Sequence, residues 1–280
     1  MVDNKMIAKH GLNVAGQKHG LDEVVAEALD VLKRGGLILY PTDTVWGIGC
    51  DATNETAVQR VFALKRRAEA KSLVLLACDL DMVARYVRKI PSIAVDLVSV
   101  NDAPMTIVYP GAVVAGASAQ RASGQTPASS PFGLAPSVVA ADGSVGIRIP
   151  RAGATGVDSK GDDWDERPVS AGAVFCNRLI YRLRRPLVST SANISGEPAP
   201  ASFPEISPEI RAGVDYIVPA SVSGLALPGL SRSGSPSPAS RSGSGQAPSA
   251  ATVRFDDSAT GRPSQILKLG LDGEVEIIRP

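Results

Sequence analysis

Histidine is almost missing from this chain and cysteine is scarce: two and three residues of 280. Both histidines, His10 and His19, fall near the start, so a serine–histidine nucleophile would have to recruit that stretch. Cys50, Cys78 and Cys176 are odd in number and widely spaced, which fits neither a disulfide framework nor zinc-ligand spacing and points to a reducing cytoplasm. Neither charge sign dominates. With 29 basic against 28 acidic residues and a net charge of +1, no global field draws in nucleic acid or a membrane surface, and any polyanion site must come from local clustering. Long apolar runs are lacking too. None approaches the roughly 18 residues of a membrane span, and the opening MVDNKMIAKHGLNVAGQKHG has no apolar signal region. The expectation is a soluble, cytoplasmic protein.

What is present is enough apolar material for a sizeable core, 44% of the residues. Helical spacing predicts helices over 21–32, 54–65, 79–88, 92–100, 171–183 and 204–212. Short apolar runs predict strands over 37–40, 73–77, 105–109, 144–149, 187–191, 214–218, 265–269 and 274–278. Helices alternate with strands, so the class is α/β. Stretches near 112–133, 152–168 and 221–262 are rich in Ser, Gly, Ala and Pro and read as low-complexity insertions in a single domain spanning 1–280.

Four segments have the residue types for chemistry. In PTDTVWGIG (41–49) an extended chain would put the hydroxyls of Thr42 and Thr44 on one face and Asp43 on the other, with Gly47 and Gly49 free to approach a ligand; a turn closing a strand is the plainer alternative. KRRAEAK (65–71) ends a helix with Lys65, Arg66, Arg67 and Lys71, either a solvated charged end or a phosphate site at the strand ends. In SVGIRIPR (144–151), Arg148 interrupts an apolar strand and requires a carboxylate or phosphate partner. STSAN (189–193) aligns Ser189, Ser191 and Asn193 on one side of an emerging strand, as a polar edge or as neutral hydrogen-bonding groups for a ligand.

Taken in order, PTDTVWGIG, KRRAEAKSL, PMTIV, VGIRIPR, STSANISGEP and PSQILKL resemble the YrdC/Sua5 family, the threonylcarbamoyl-AMP synthases, in the short YrdC-type form. The resemblance implies a twisted mixed sheet with flanking helices around a concave basic cavity. It also implies an enzyme, a nucleotidyltransferase that joins L-threonine, bicarbonate and ATP, with Mg2+, into L-threonylcarbamoyladenylate and pyrophosphate for N6-threonylcarbamoyladenosine at position 37 of tRNA. By position, Lys65, Arg67 and Arg148 would be catalytic and would bind ATP together with Ser189, Asn193 and Ser264. Thr42, Thr44, Lys71, Thr106 and Ser191 would bind L-threonine. No metal ligands are implied among the protein's own residues. The product would pass to tRNA directly or through the threonylcarbamoyl-transferase complex. Trp46 stands where the family usually has tyrosine, and Pro248–Val253 is a second candidate for the ATP-closing segment given to Ser264. A non-catalytic module binding double-stranded RNA or tRNA, using Arg178, Arg182, Arg184 and Arg185, is the rival reading, and carbamoyl-phosphate-dependent transfer is a third.

Overall fold

The structure is a computed structural model that describes residues 19–68, 73–101, 103–116, 133–150, 170–223, 225 and 252–280. Its elements in chain order are α1 (Leu21–Lys33), β1 (Ile38–Tyr40), β2 (Gly47–Gly49), α2 (Glu55–Leu64), β3 (Val74–Leu76), α3 (Leu80–Tyr86), α4 (Ser92–Val100), β4 (Met105–Tyr109), β5 (Val145–Arg148), α5 (Ala171–Leu183), β6 (Leu187–Ser191), α6 (Pro208–Gly213), β7 (Tyr216–Ile217), β8 (Ser221–Ser223), β9 (Thr252–Arg254), β10 (Gln265–Leu269) and β11 (Val275–Arg279).

Local chemistry sets the helix ends. In α1, Leu21, Val24, Val25, Ala28 and Leu32 turn inward while Asp22 and Glu23 occupy the first turn, where the helix dipole favours acid. Gly36 N–H then reaches Val31 O and Gly35 N–H reaches Leu32 O, the paired bonds of a Schellman motif, with Gly35 at φ 77°. Helix α2 starts at Asn54, whose side chain accepts from Ala57 N–H. It ends in the same motif, Arg67 N–H to Phe62 O and Arg66 N–H to Ala63 O, but with an arginine, Arg66, at φ 50° where glycine is usual.

Nine strands among the described residues form one mixed sheet in the order β11-β10-β4-β5-β3-β6-β2-β1-β7. Pairs β1/β7, β3/β5 and β4/β10 are parallel and the others antiparallel. Helix α5 covers the sheet with Phe175, whose ring centroid lies 6.4 Å from that of Tyr40, and every residue of β1 and β2 is buried. The predicted twisted mixed α/β sheet with flanking helices is therefore the observed one.

Three local expectations need correction. Strand β2 was not foreseen, because two of its three residues are glycine. Gly49 makes room for Tyr40. A Cβ on Gly49 would fall 2.7 Å from Tyr40 Cε1 and 2.6 Å from Val188 O, the carbonyl to which the Tyr40 hydroxyl donates at 3.2 Å. Helix 204–212 begins only at Pro208, capped by Ser207, because Phe203–Glu205 closes a separate 3-10 turn. The ends of the 221–262 stretch are structural: Val222 pairs with Val253 across β8 and β9, and Phe255 is buried with its ring centroid 6.0 Å from that of Phe175. One branched apolar residue per strand and one aromatic, together with hydrogen bonds to Ala220, Asp43 and Thr44, hold these ends in a segment of otherwise polar composition. Residues 152–168 and 226–250 of the expected insertions lie outside the described residues.

Gly49→Ala places a methyl against backbone that cannot yield and is expected to cost about 1–3 kcal/mol. Urea unfolding should show a lower midpoint with an unchanged slope.

Candidate active site

Register shows which side chains share a face. Thr106 lies opposite Arg148 across β4 and β5, Arg148 opposite Leu76 on β3, and Leu76 opposite Leu187 on β6. Since side chains alternate along β6, Ser189 and Ser191 share that face with Leu187, Arg148 and Thr106. Strand β6 is sixth of nine, yet only Leu187 and Val188 are buried, while Ser189, Thr190 and Ser191 are half-exposed. An interior strand left partly uncovered over three polar residues marks where the surface reaches into the sheet.

Arg148 is 4% exposed, and its guanidinium donates to Asp43 Oδ1 at 2.5 Å. Around it the polar groups are knitted together. Thr106 Oγ1 and Ser264 Oγ are 2.8 Å apart, and Ser264 O accepts from Arg279 Nε at 2.8 Å and from its terminal nitrogen at 2.5 Å. Burial and the neighbouring Arg148 charge both lower the Arg279 pKa.

The segment carrying Asp43 is a turn. Thr42 Oγ1 accepts from Thr44 N–H at 3.0 Å and Val45 N–H at 3.2 Å, lies 2.8 Å from Thr44 Oγ1 and is 2.8 Å from Val45 O. Of the two sequence readings, extended chain or turn, the hydroxyl-closed turn is the observed one, because Thr42 satisfies backbone groups that a strand would have paired. The two hydroxyls do come together. The N-terminus of α5 approaches from beneath: a Cβ on Gly172 would sit 2.2 Å from Thr42 O.

Lys65, one residue past α2, is 1% exposed and points under the end of β6. Its ammonium donates to Ser191 O, to Asn193 O at 2.6 Å and to Asn193 Oδ1 at 3.4 Å, while Lys65 O accepts from Ser195 N–H at 2.9 Å. Burial, with the Arg67 charge second, pushes its pKa down from 10.5 to about 8. Asn193 is committed as well, its amide donating to Ile194 O at 3.0 Å and Glu197 O at 2.6 Å. The two clusters meet where β2 pairs with β6, Gly47 opposite Ser191 and Trp46 O accepting from Ala192 N–H at 2.9 Å.

A family model for Sua5, YciO and YrdC, described as telomere recombination, matches residues 30–155 and 171–229. The chain belongs to the Sua5/YciO/YrdC family. A threonylcarbamoyl-AMP synthase of Stenotrophomonas maltophilia is 32% identical over 215 residues, 74% of this chain and 90% of that protein. One of Halorhodospira halophila is 29% identical over 211 residues, 75% of this chain and 90% of that protein. Among solved structures, E. coli YciO gives a TM-score of 0.54 at 16% identity, covering 91% of this chain and 88% of that one. P. abyssi Sua5 complexed with L-threonine gives 0.52 at 21% identity, covering 72% of this chain and 47% of that one. At such identities these structures speak for the fold.

In this member of the Sua5/YciO/YrdC family, Thr106, Arg148, Ser189 and Ser191 share a face, Ser264 joins Thr106, and Lys65 joins Ser191 and Asn193. Arg67 is half-buried with its pKa lowered by burial. Lys71 lies outside the described residues. Sequence reasoning did not identify Asp43 as the partner of Arg148, nor Arg279, nor Ser195, whose buried hydroxyl has no hydrogen-bond partner among the described residues. The requirement that Arg148 have an anion was legible; which of the chain's carboxylates supplies it was not. The arginines of the RNA reading are occupied: Arg178 and Arg182 both reach Asp22, at 3.3 and 2.8 Å, Arg185 reaches Asp51 at 2.6 Å, and Arg184 lies 4.5 Å from the Tyr181 ring centroid.

The Lys65 shift has a signed consequence. Between about pH 8 and 10.5 the unfolded chain holds the Lys65 proton and the folded chain sheds it, so stability from this group rises with pH across that window; below about pH 8 both states are protonated and the full burial penalty stands. Wild type should therefore gain about 3 kcal/mol relative to Lys65→Met between those limits, read from urea midpoints at each pH.

Proposed function

We propose that this chain is an L-threonylcarbamoyladenylate synthase, condensing L-threonine, bicarbonate and ATP with release of pyrophosphate. One observation carries the reading: the face holding Thr106, Arg148, Ser189 and Ser191 adjoins the Thr42–Thr44 turn in a chain that spans 90% of the S. maltophilia synthase. The amine of threonine adds to the bicarbonate carbon, water is lost and a carbamate forms. A carbamate oxygen then attacks the α-phosphorus of ATP as the bond to the β-phosphate breaks. Neither step calls for an enzyme nucleophile, which suits a chain with two histidines.

In this reading Thr42, Thr44, Lys71, Thr106 and Ser191 meet the amino acid. Ser189, Asn193 and Ser264 meet the nucleotide, and Arg67 and Arg148 offset phosphate charge. Lys65, which the resemblance gives to ATP and catalysis, would serve from beneath by holding the Ser191 and Asn193 carbonyls beside the nucleotide. The described residues contain no group of three or more His, Cys, Asp or Glu that could cage a metal. Mg2+ would accompany the phosphates of ATP and take few protein oxygens, the usual habit of that ion. Its chemistry is charge neutralisation. The adenylate would go to tRNA, directly or through the threonylcarbamoyl-transferase complex, in the cytoplasm. No helix among the described residues is long and apolar enough to cross a membrane.

The test is pyrophosphate release with ATP and bicarbonate, with and without L-threonine. Wild type should show threonine-dependent release, and Arg148→Ala should lose about 100-fold or more. Because that variant strands the buried Asp43 carboxylate, it should also lose about 3–5 kcal/mol of stability. The double variant Asp43→Ala/Arg148→Ala removes both charges and should recover much of that stability while staying inactive. Unchanged turnover without Arg148 would remove it from the site, and release that ignores threonine would overturn the reading.

A further inference from the structure

The turn at 42–46 does not hold its shape alone. Beyond the last residue of the family match, 229, a segment following β9 lies across it. Phe255 anchors this strap in the core beside Phe175, with its N–H donating to Ala220 O at 3.1 Å. Ser258 Oγ accepts from Ala171 N–H at 2.9 Å, at the start of α5. Thr260 N–H donates to Asp43 O and Gly261 N–H to Thr44 O, both at 2.9 Å. Gly261, at φ 67°, supplies the left-handed conformation the strap needs there.

One side chain joins strap to turn. The indole N–H of Trp46 donates to Asp256 Oδ1 at 2.6 Å, and Trp46 is 3% exposed, with its ring 5.0 Å from that of Phe203. An N–H buried to that degree needs an acceptor, and a carboxylate makes the bond a strong one. Trp46 O meanwhile holds Ala192 N–H on the far side. This one residue therefore fixes the spacing between the threonine turn and the polar end of β6. At the other end of the turn, Asp43 is gripped twice, by Arg148 through its carboxylate and by Thr260 through its carbonyl.

We infer that Asp256, acting through the Trp46 indole, is a positioning residue that sets the Thr42–Trp46 turn for the amino-acid substrate. The inference rests on the reading given above, in which that turn meets L-threonine. The bond ends on the Thr42–Trp46 turn and makes no direct contact with Ser189, Asn193, Ser264 or Arg148, the groups assigned to the nucleotide. Its loss should therefore weaken threonine more than ATP. Asparagine keeps an oxygen acceptor at the same place; valine does not.

Wild type, Asp256→Asn and Asp256→Val are compared by calorimetric binding of L-threonine and by KM for L-threonine, KM for ATP and kcat in threonine-dependent pyrophosphate release. Asp256→Val should weaken threonine roughly tenfold, the scale of one lost hydrogen bond to a charged acceptor, with KM for ATP and kcat within about twofold. Asp256→Asn should restore threonine affinity to within about twofold of wild type. Should Asp256→Val fail to fold, Trp46→Phe removes the donor while keeping a ring against Phe203, and the same split is expected. Equal weakening of threonine and ATP, an Asp256→Asn variant as poor as Asp256→Val, or unchanged threonine affinity would overturn the positioning role. Wild type that neither binds L-threonine nor releases pyrophosphate in response to it would overturn the proposed activity and, with it, this inference.

Discussion

A guanidinium 4% exposed in a mixed sheet is tolerable only beside an anion, and the Arg148–Asp43 pair is the contact on which the site's architecture turns. Arg148 sits on β5 and Asp43 in the turn after β1, strands separated in the sheet by β3, β6 and β2. The pair therefore ties the turn back over the sheet rather than letting it extend away. Once Asp43 is fixed, the Thr42 hydroxyl can close on Val45 and Thr44, and Gly172 must lack a side chain because α5 begins directly under Thr42 O. A replacement that satisfied local propensity in the turn but removed the carboxylate would leave the guanidinium without its anion.

A second constraint is the Lys65 ammonium, which terminates β6. A strand that runs out into a loop leaves carbonyls without ladder partners, and those of Ser191 and Asn193 are met by a buried cation instead of water. That choice is costly, as the lowered pKa of Lys65 records. An apolar residue would have avoided the desolvation cost but left the Asn193 carbonyl and amide oxygens to find other donors, and Ser191 O with only the Asn193 N–H. Positive φ at Arg66 belongs to the same device: the chain reverses immediately after Lys65, so that the lysine points inward while Arg66 reaches Glu209 at 2.8 Å on the surface.

What could be read in the sequence follows the range of the forces involved. Strands β4 and β10 and helices α4 and α5 have the limits that apolar runs and caps indicate, because burial patterns repeat over a few residues. Strand β2 was hidden because two of its three residues are glycine, and Gly49 answers to Tyr40, a contact created only by pairing β1 with β2. The Asp43 partner of Arg148, 105 residues away, lies beyond any local pattern, although the need for one was plain. The strap at 255–261 was concealed by its setting: a stretch rich in Ser, Gly and Pro dilutes the signal of Val253 and Phe255, which carry its packing. The contact between Thr106 and Ser264 was likewise beyond local pattern, since it is made by the parallel pairing of β4 with β10.

The two cations at the centre of the site differ in what they can still offer. An ammonium has three protons, and Lys65 has three oxygen partners, so it can reach a phosphate only by releasing Ser191 or Asn193. A guanidinium carries five N–H donors in a planar fork, and the contact with Asp43 uses one. In the proposed reading, Arg148 would keep N–H donors for an anionic substrate with its structural pair intact, so that holding the turn and offsetting phosphate charge would be compatible. The same count explains why a lysine at 148 would be a poor substitute: with one compact charge it would have to divide itself between Asp43 and the substrate.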